Sequence, residues 1–338
     1  MQNRTHISRS RFIRIIWERR LTGVRSRSRF APKRPSANLV FWRAGDRVEP
    51  SEGYVKILGF KLFYRTYGTP TKGTVLCLHG GPGMTHNYLL SLEDLAQFGY
   101  RVVFIDQLGC GKSERPRGTD LYTIAHNVEE VEAVRKALRL GKVHLMGSSY
   151  GGALAIATAL KYQRNLRSLV ITGGLASVPL TVREMRRLVN RLPPKTRAAI
   201  AKYEAAEDYQ NPEYLAAVDV FYRRYLCRLP VWPRELTYTL EHASQPVYFT
   251  MNGPNEFTII GTIKDWDVTD QLPRIKVPTL VTVGRYDEVT PRVAASIHRG
   301  IRGSKLVRFE KSAHLAMWEE RAHYIEVLRD FLDGVRPN

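Results

Sequence analysis

The stretch "KVHLMGSSYGGALAIATALKY", residues 142–162, decides the fold. Its first part has the continuous apolar character of a buried strand, its last part is rich in helix formers, and a serine between glycines stands at the junction. The centre, "GSSYGG" at 147–152, fits G-x-S-x-G with Ser149 in the middle, whereas Ser148 has Met146 and Tyr150 at the flanking positions and fits poorly. Gly147 and Gly151 permit a sharp strand-to-helix turn that holds the Ser149 hydroxyl at its apex in a strained conformation. A helix N-terminus beneath it favours developing negative charge. Taken alone, the same residues also fit a glycine-rich turn with an incidental serine, so the surroundings decide.

Working outward, short β-type runs alternate with helical ones from about Glu52. "YVKILGFKLFYRTYG" reads as an antiparallel hairpin, and "TVLCLHG", "RVVFIDQLG" and "LRSLVITGG" as further strands. Residues 88–98 and 123–140 carry helical apolar spacing. The alternation stops after Gly174, gives way to a helix-biased, Tyr-rich stretch, and resumes at "VPTLVTVG", followed by "PRVAASIHRGI", "SKLVRFE" and a closing helix over 318–332. The expected fold class is therefore α/β, a mostly parallel sheet with an inserted helical cap. The expected units are a basic, disordered extension over 1–50, a core over 51–174 and 269–338, and a cap over 175–268. Ligand sites in such sheets lie outside the carboxyl ends of the strands, which is where this insertion begins.

Upstream of the elbow, "HGGPG" at 79–83 closes a strand expected to neighbour the elbow strand. Glycines there let backbone N–H groups approach a substrate oxygen, which makes Gly81 and Tyr150 the candidate oxyanion donors. Downstream, Asp287 in "RYDEVTP" and His314 in "KSAHLAMW" each follow a strand, in the chain order Ser, acid, His. In a parallel sheet these loops open on the edge that carries Ser149. His314 would take the Ser149 proton and return it to the leaving group, with Asp287 fixing the imidazole. Of the nine histidines, position and order single out His314; His79 is expected to shape its own loop. "GCGKS" lacks the first glycine of a phosphate-binding loop, where Asp106 stands, and the dinucleotide pattern fails at Glu114. Neither HExxH nor His/Cys ligand spacing occurs, so neither a metal nor another cofactor is expected.

Composition sets the wider bounds. Of 338 residues, 43% are hydrophobic and 25% charged, near globular averages, and no apolar run reaches membrane-spanning length. The formal charge of +20 suggests nucleic acid as a partner, but residues 1–50 hold 13 Lys and Arg against three Asp and Glu, half of the excess. Cys77, Cys110 and Cys227 are widely spaced, as free thiols in a reducing compartment are. Arg interrupts the one apolar stretch near the start, which argues against a secretory signal and for the cytoplasm.

"HGGPG", "DQLGCGKS", "GSSYGG", "GRYDEVTP" and "SAHLAMWE" occur in an order that resembles the α/β-hydrolase serine aminopeptidases, which include proline iminopeptidases and the tricorn-interacting aminopeptidase. The resemblance covers about residues 52–334, and "YFTMNGPNEFTIIGTIKDWD" is similar to the tricorn-interacting member in particular. It implies an α/β-hydrolase fold and removal of single N-terminal residues, proline or apolar, from short peptides through an acyl-enzyme. It also implies that Glu256 and Glu288 bind the substrate's α-ammonium. A buried unpaired charge is costly, so two carboxylates from different segments suit a cationic terminus. Without the resemblance, Glu288 reads equally well as a solvent-facing loop carboxylate and Glu256 as a neighbour of a helix N-terminus. Leu108 departs from the pattern, standing where many relatives have Arg. The sequence leaves open the preferred first residue and any proteasome-like partner. Two other readings stand beside the peptidase: an amino-acid amidase or esterase with the same triad, and a nucleic-acid-binding protein acting through the basic arm.

Overall fold

Ile57 and Phe60 face each other across a two-residue turn, Leu58 and Gly59, whose φ angles are 48° and 88°. Two successive positive φ values match the right-handed twist of a tight hairpin. This turn joins β1 (Ser51–Ile57) to β2 (Phe60–Tyr67) at the edge of an eight-stranded sheet. The computed structural model describes residues 49–335; the basic extension expected over 1–50 lies almost wholly outside the described residues.

The remaining strands are β3 (Gly73–Leu78), β4 (Tyr100–Ile105), β5 (Val143–Ser148), β6 (Leu166–Thr172), β7 (Thr279–Gly284) and β8 (Lys305–Phe309). They lie in the order β1-β2-β4-β3-β5-β6-β7-β8, antiparallel as far as β4 and parallel from there on. Alternate residues of a strand point to opposite faces. Leu76 and Leu78 of β3 accordingly join one buried apolar cluster, and Val75 and Cys77 the other. Both faces are covered, which is why these strands read as continuous apolar runs. From β3 the chain steps outward to β4 and then returns to the other side of β3 to form β5. That reversal leaves the carboxyl ends of β3 and β5 side by side at a switch point, where a ligand crevice opens.

The helices on the faces are α1 (Ile124–Ala137), capped by Thr123, and α2 (Tyr150–Tyr162), which leaves β5 directly. Residues 86–98 wind as a 3-10 helix between the Thr85 cap and Gly99 at φ 86°, a tighter coil than the α-type spacing predicts. Between β6 and β7 come α3 (Val178–Val189), α4 (Pro194–Ala205), α5 (Pro212–Tyr225), α6 (Arg234–Glu241) and α7 (Gln245–Met251). Proline within the first two positions of α3, α4, α5 and α7 costs no hydrogen bond there and presets φ for the helix. The insertion's ends meet at a bridge between Ser177 and Asp267. Its inner residues Tyr214, Phe221, Met251 and Phe257 belong to the same apolar cluster as Leu76 and Leu78, so the insertion is packed onto the sheet.

After β7 the chain forms α8 (Pro291–Gly300), then β8, α9 (Ala316–Glu319) and α10 (Arg321–Asp333). The single closing helix expected over 318–332 is interrupted at Glu320. Glu319 and Glu320 turn back to accept from the backbone of Ala313 and Lys311, and their helix axis breaks as they clamp the preceding loop.

Candidate active site

Ser149 sits at φ 58° and ψ −126°, a region non-glycine residues seldom occupy, as the residue between β5 and α2. The neighbouring glycines make that turn possible. A Cβ at Gly147 would run into the Gly151 carbonyl, and one at Gly151 into the Leu78 carbonyl. The Ser149 N–H donates to the Thr172 carbonyl at 2.9 Å, tying the turn to β6. On the other side, a Cβ at Gly80 would stand 2.7 Å from the Ser149 Cβ, so only glycine lets the loop after β3 come so close. Gly80 N–H donates to the Tyr88 hydroxyl at 2.8 Å, and Gly81 follows at φ 110°. Gly81 lines the cavity above Ser149, while Tyr150 opens α2 with its side chain buried.

Asp287 and His314 follow β7 and β8, as their positions in the chain imply, and His314 Nδ1 lies 2.7 Å from Asp287 Oδ1. Asp287 Oδ1 also accepts from the Val289 N–H at 2.8 Å, which fixes the carboxylate. The His314 N–H donates to the carbonyls of Tyr225 and Leu226 at the end of α5, anchoring this loop to the insertion. Burial by itself would lower the His314 pKa. The Asp287 carboxylate, helped by Glu288 and Glu256, outweighs burial and holds the imidazole up at about 9.

Glu288 is 1% exposed, which excludes a solvent-facing loop carboxylate, and its N–H donates to the Tyr225 carbonyl at 3.1 Å. Its Oε1 is 4.0 Å from His314 Nε2, and its Oε2 has no hydrogen-bond partner among the described residues. Glu256, beyond the C-terminus of α7, accepts a 2.7 Å hydrogen bond from the Tyr248 hydroxyl. Burial raises both carboxyls above the usual range, and for Glu288 the adjacent Glu256 and Asp287 add to it against His314. Ser149, His314, Glu256, Glu288 and Gly81 all line one small cavity. Met84, Leu236, Leu240 and Leu315 supply its apolar wall.

A buried network that the sequence reading did not assign supports this cavity. Asn127 of α1 donates to Gln107 Oε1 at 3.1 Å and to the Tyr150 hydroxyl at 3.3 Å. Gln107 donates in turn to the His79 carbonyl at 2.8 Å and, from its backbone, to His79 Nε2 at 3.1 Å. The elbow helix and the loop after β3 are thereby joined through two amides. Gln107 lies in the quoted "DQLGCGKS", a signal for its importance; Asn127 carries none. That same motif turns around Asp106, whose carboxylate accepts from the Lys112 and His86 N–H groups, and a Cβ at Gly111 would strike it.

Among the described residues no group of three or more His, Cys, Asp or Glu is arranged to hold a metal ion, and no helix is long and apolar enough to cross a membrane. Residues 73–321 match the family model described as alpha/beta hydrolase fold. The proline iminopeptidase of Saccharolobus solfataricus is 52% identical over 294 residues, covering 86% of this chain and 95% of the relative. That of Thermoplasma volcanium is 54% identical over 286 residues, covering 83% and 96%. The crystal structure of the Mycobacterium smegmatis proline iminopeptidase superposes with a TM-score of 0.79 at 34% identity, over 84% of this chain and 98% of that one. Both relatives are more than half identical over more than four fifths of this chain, and the chain therefore belongs to the proline iminopeptidase family, serine hydrolases of the α/β-hydrolase fold.

Proposed function

We propose that this chain is a prolyl aminopeptidase that releases single N-terminal residues, proline or apolar, from short peptides, and that it works in the cytoplasm. In this reading residues 51–174 and 269–338 form the catalytic core and 175–268 the cap that shapes the site. The cap stretch around Glu256 further favours kinship with the tricorn-interacting aminopeptidase. The observation that carries the reading is that Glu256 and Glu288 line the same cavity as Ser149 and His314. A hydrolase of neutral esters gains nothing from two carboxylates in a largely buried pocket, because ionising both there is costly. A ligand that brings an ammonium repays that cost.

The geometry supports the following mechanism. Glu256 and Glu288 hold the ammonium, which sets the carbonyl of the first residue above Ser149. Ser149 Oγ attacks it as His314 Nε2 takes the proton, and Asp287 at Nδ1 steadies the imidazolium. The oxyanion lies between the N–H groups of Gly81 and Tyr150. His314 gives its proton to the departing amine, an acyl-enzyme remains, and water activated by His314 releases the first residue. Turnover of prolyl and other aminoacyl anilides, free and N-acetylated, tests this. Ser149→Ala is expected to lose at least about a thousandfold in kcat. Equal kcat/KM for the free and acetylated forms of one substrate would remove the aminopeptidase reading in favour of an esterase or amidase.

A further inference from the structure

His314 carries a carboxylate at each ring nitrogen. Asp287 Oδ1 is 2.7 Å from Nδ1, and Glu288 Oε1 is 4.0 Å from Nε2, the nitrogen that has to receive the Ser149 proton. An anion so placed in a buried site favours imidazolium over imidazole, and an imidazolium nitrogen is a donor only. Among the described residues, His314 is the one cationic side chain within 4.0 Å of Glu288.

We propose that the substrate's own ammonium switches on the general base: in the empty site Glu288 keeps His314 protonated, and a cationic N-terminus that takes Glu288 and Glu256 as its partners drives that proton out. The inference rests on the aminopeptidase reading and adds to it that the free N-terminus acts on the chemistry as well as on affinity. The balance is simple. One cation enters beside the imidazolium, the carboxylates turn to it, and one proton leaves the cluster for solvent, leaving Nε2 with the lone pair that Ser149 needs.

The charged groups that act on His314 come from two directions. Asp287 and Glu288 come from the loop after β7, and Glu256 from the segment after α7. Tyr225 and Leu226 of the α5 end offer it only backbone carbonyls. The phenols of Tyr222 and Tyr248 beside the carboxylates are kept neutral by burial. The imidazole held up at about 9 in the empty site agrees with this starting state. A blocked N-terminus is then penalised twice: it brings no charge for the carboxylates, and it leaves the base protonated.

Calorimetric binding of prolinamide to the Ser149→Ala protein tests the proposal, at pH 7 where the ligand's amine is already charged. Titrations in buffers of different ionisation enthalpy count the protons exchanged. Release of about one proton per ligand is expected, with the 15N NMR shifts of the His314 ring passing from imidazolium to neutral imidazole, which separates its proton from those of Glu256 and Glu288, whose carboxyls burial also raises. Binding whose heat is independent of the buffer overturns the proposal and leaves the aminopeptidase reading standing, whereas absence of any binding overturns both. A second measurement uses p-nitrophenyl acetate, a neutral ester. In Glu288→Gln the acid limb of kcat/KM is expected about one pH unit or more below that of the wild type. An unmoved limb contradicts the proposal.

Discussion

A Cβ placed on Gly173 would stand 2.7 Å from His314 Cε1 and 2.8 Å from its Nδ1. Gly173 follows β6 at φ 49°, donates its N–H to the Thr282 carbonyl, and forms the floor on which the Asp287–His314 pair rests. Any side chain there has to displace the imidazole, and the backbone adds its own strain. Gly173→Ala is therefore expected to lower kcat on prolyl anilide by about a hundredfold, since displacement of a catalytic group by an ångström costs that much. Its loss of stability should stay within about 1–3 kcal/mol. Kinetics together with thermal unfolding separate the two effects; an unchanged kcat would show that His314 tolerates the methyl group.

Asn127 and Gln107 suit a different test, because neither touches the cavity. Their amides span the gap between the His79 carbonyl and the Tyr150 hydroxyl, so they set the distance between the loop carrying Gly81 and the helix carrying the Tyr150 N–H. Loss of that link loosens groups proposed to act only in the transition state. Asn127→Leu should lower kcat about tenfold while KM stays within about twofold. A rise confined to KM would place the residue in substrate binding instead.

These two networks show where sequence reading reaches its limit. Ser149, Asp287 and His314 were legible because chain order and strand ends place them, and both survive the chain's twisting into three dimensions. The hairpin, the strands and the insertion were legible for the same reason, as local periodicity. Glu288 was singled out only through the family resemblance: from the residues alone it reads equally well as a solvent-facing loop carboxylate, and it is the docking of α5 over it, with the Tyr225 carbonyl accepting from its N–H, that buries it. The break at Glu320 was hidden likewise, because the partners of Glu319 and Glu320 are backbone groups of a loop packed back on them. Asn127 reads as one polar residue on an amphipathic helix until Gln107 is brought beside it.

Glu130, buried at 1% exposure on α1, predicts a pH dependence of stability. One oxygen accepts from the Leu108 N–H at 2.8 Å, and the other has no hydrogen-bond partner among the described residues. Burial pushes the carboxyl up to about 8. An acid whose folded pKa is raised favours folding fully below its unfolded pKa, near 4.5, and that contribution is lost as pH rises toward 8. Across that window the cost grows by about 1.4 kcal/mol per pH unit, to a few kcal/mol in all. Glu130→Gln keeps the acceptor for Leu108 and does not ionise. Its melting temperature relative to wild type should rise steadily between pH 5 and pH 8 and level off above. Parallel melting curves for the two proteins over that range would contradict the buried, titrating carboxyl.

Glu256 separates affinity from chemistry. It is held by the Tyr248 hydroxyl and has no ion-pair contact with His314 among those found for the described residues. Its loss should therefore act mainly on the ammonium. Glu256→Gln is expected to raise KM for prolyl anilide by about 10- to 100-fold, the scale of one lost charge-assisted hydrogen bond in a dry site, with a smaller change in kcat. Tyr248→Phe, which frees the carboxylate without removing it, should raise KM several-fold less. Hydrolysis of p-nitrophenyl acetate, which has no ammonium, should change little in either variant. If the neutral ester suffered as much as prolyl anilide, Glu256 would be shaping the cavity and not reading the N-terminus.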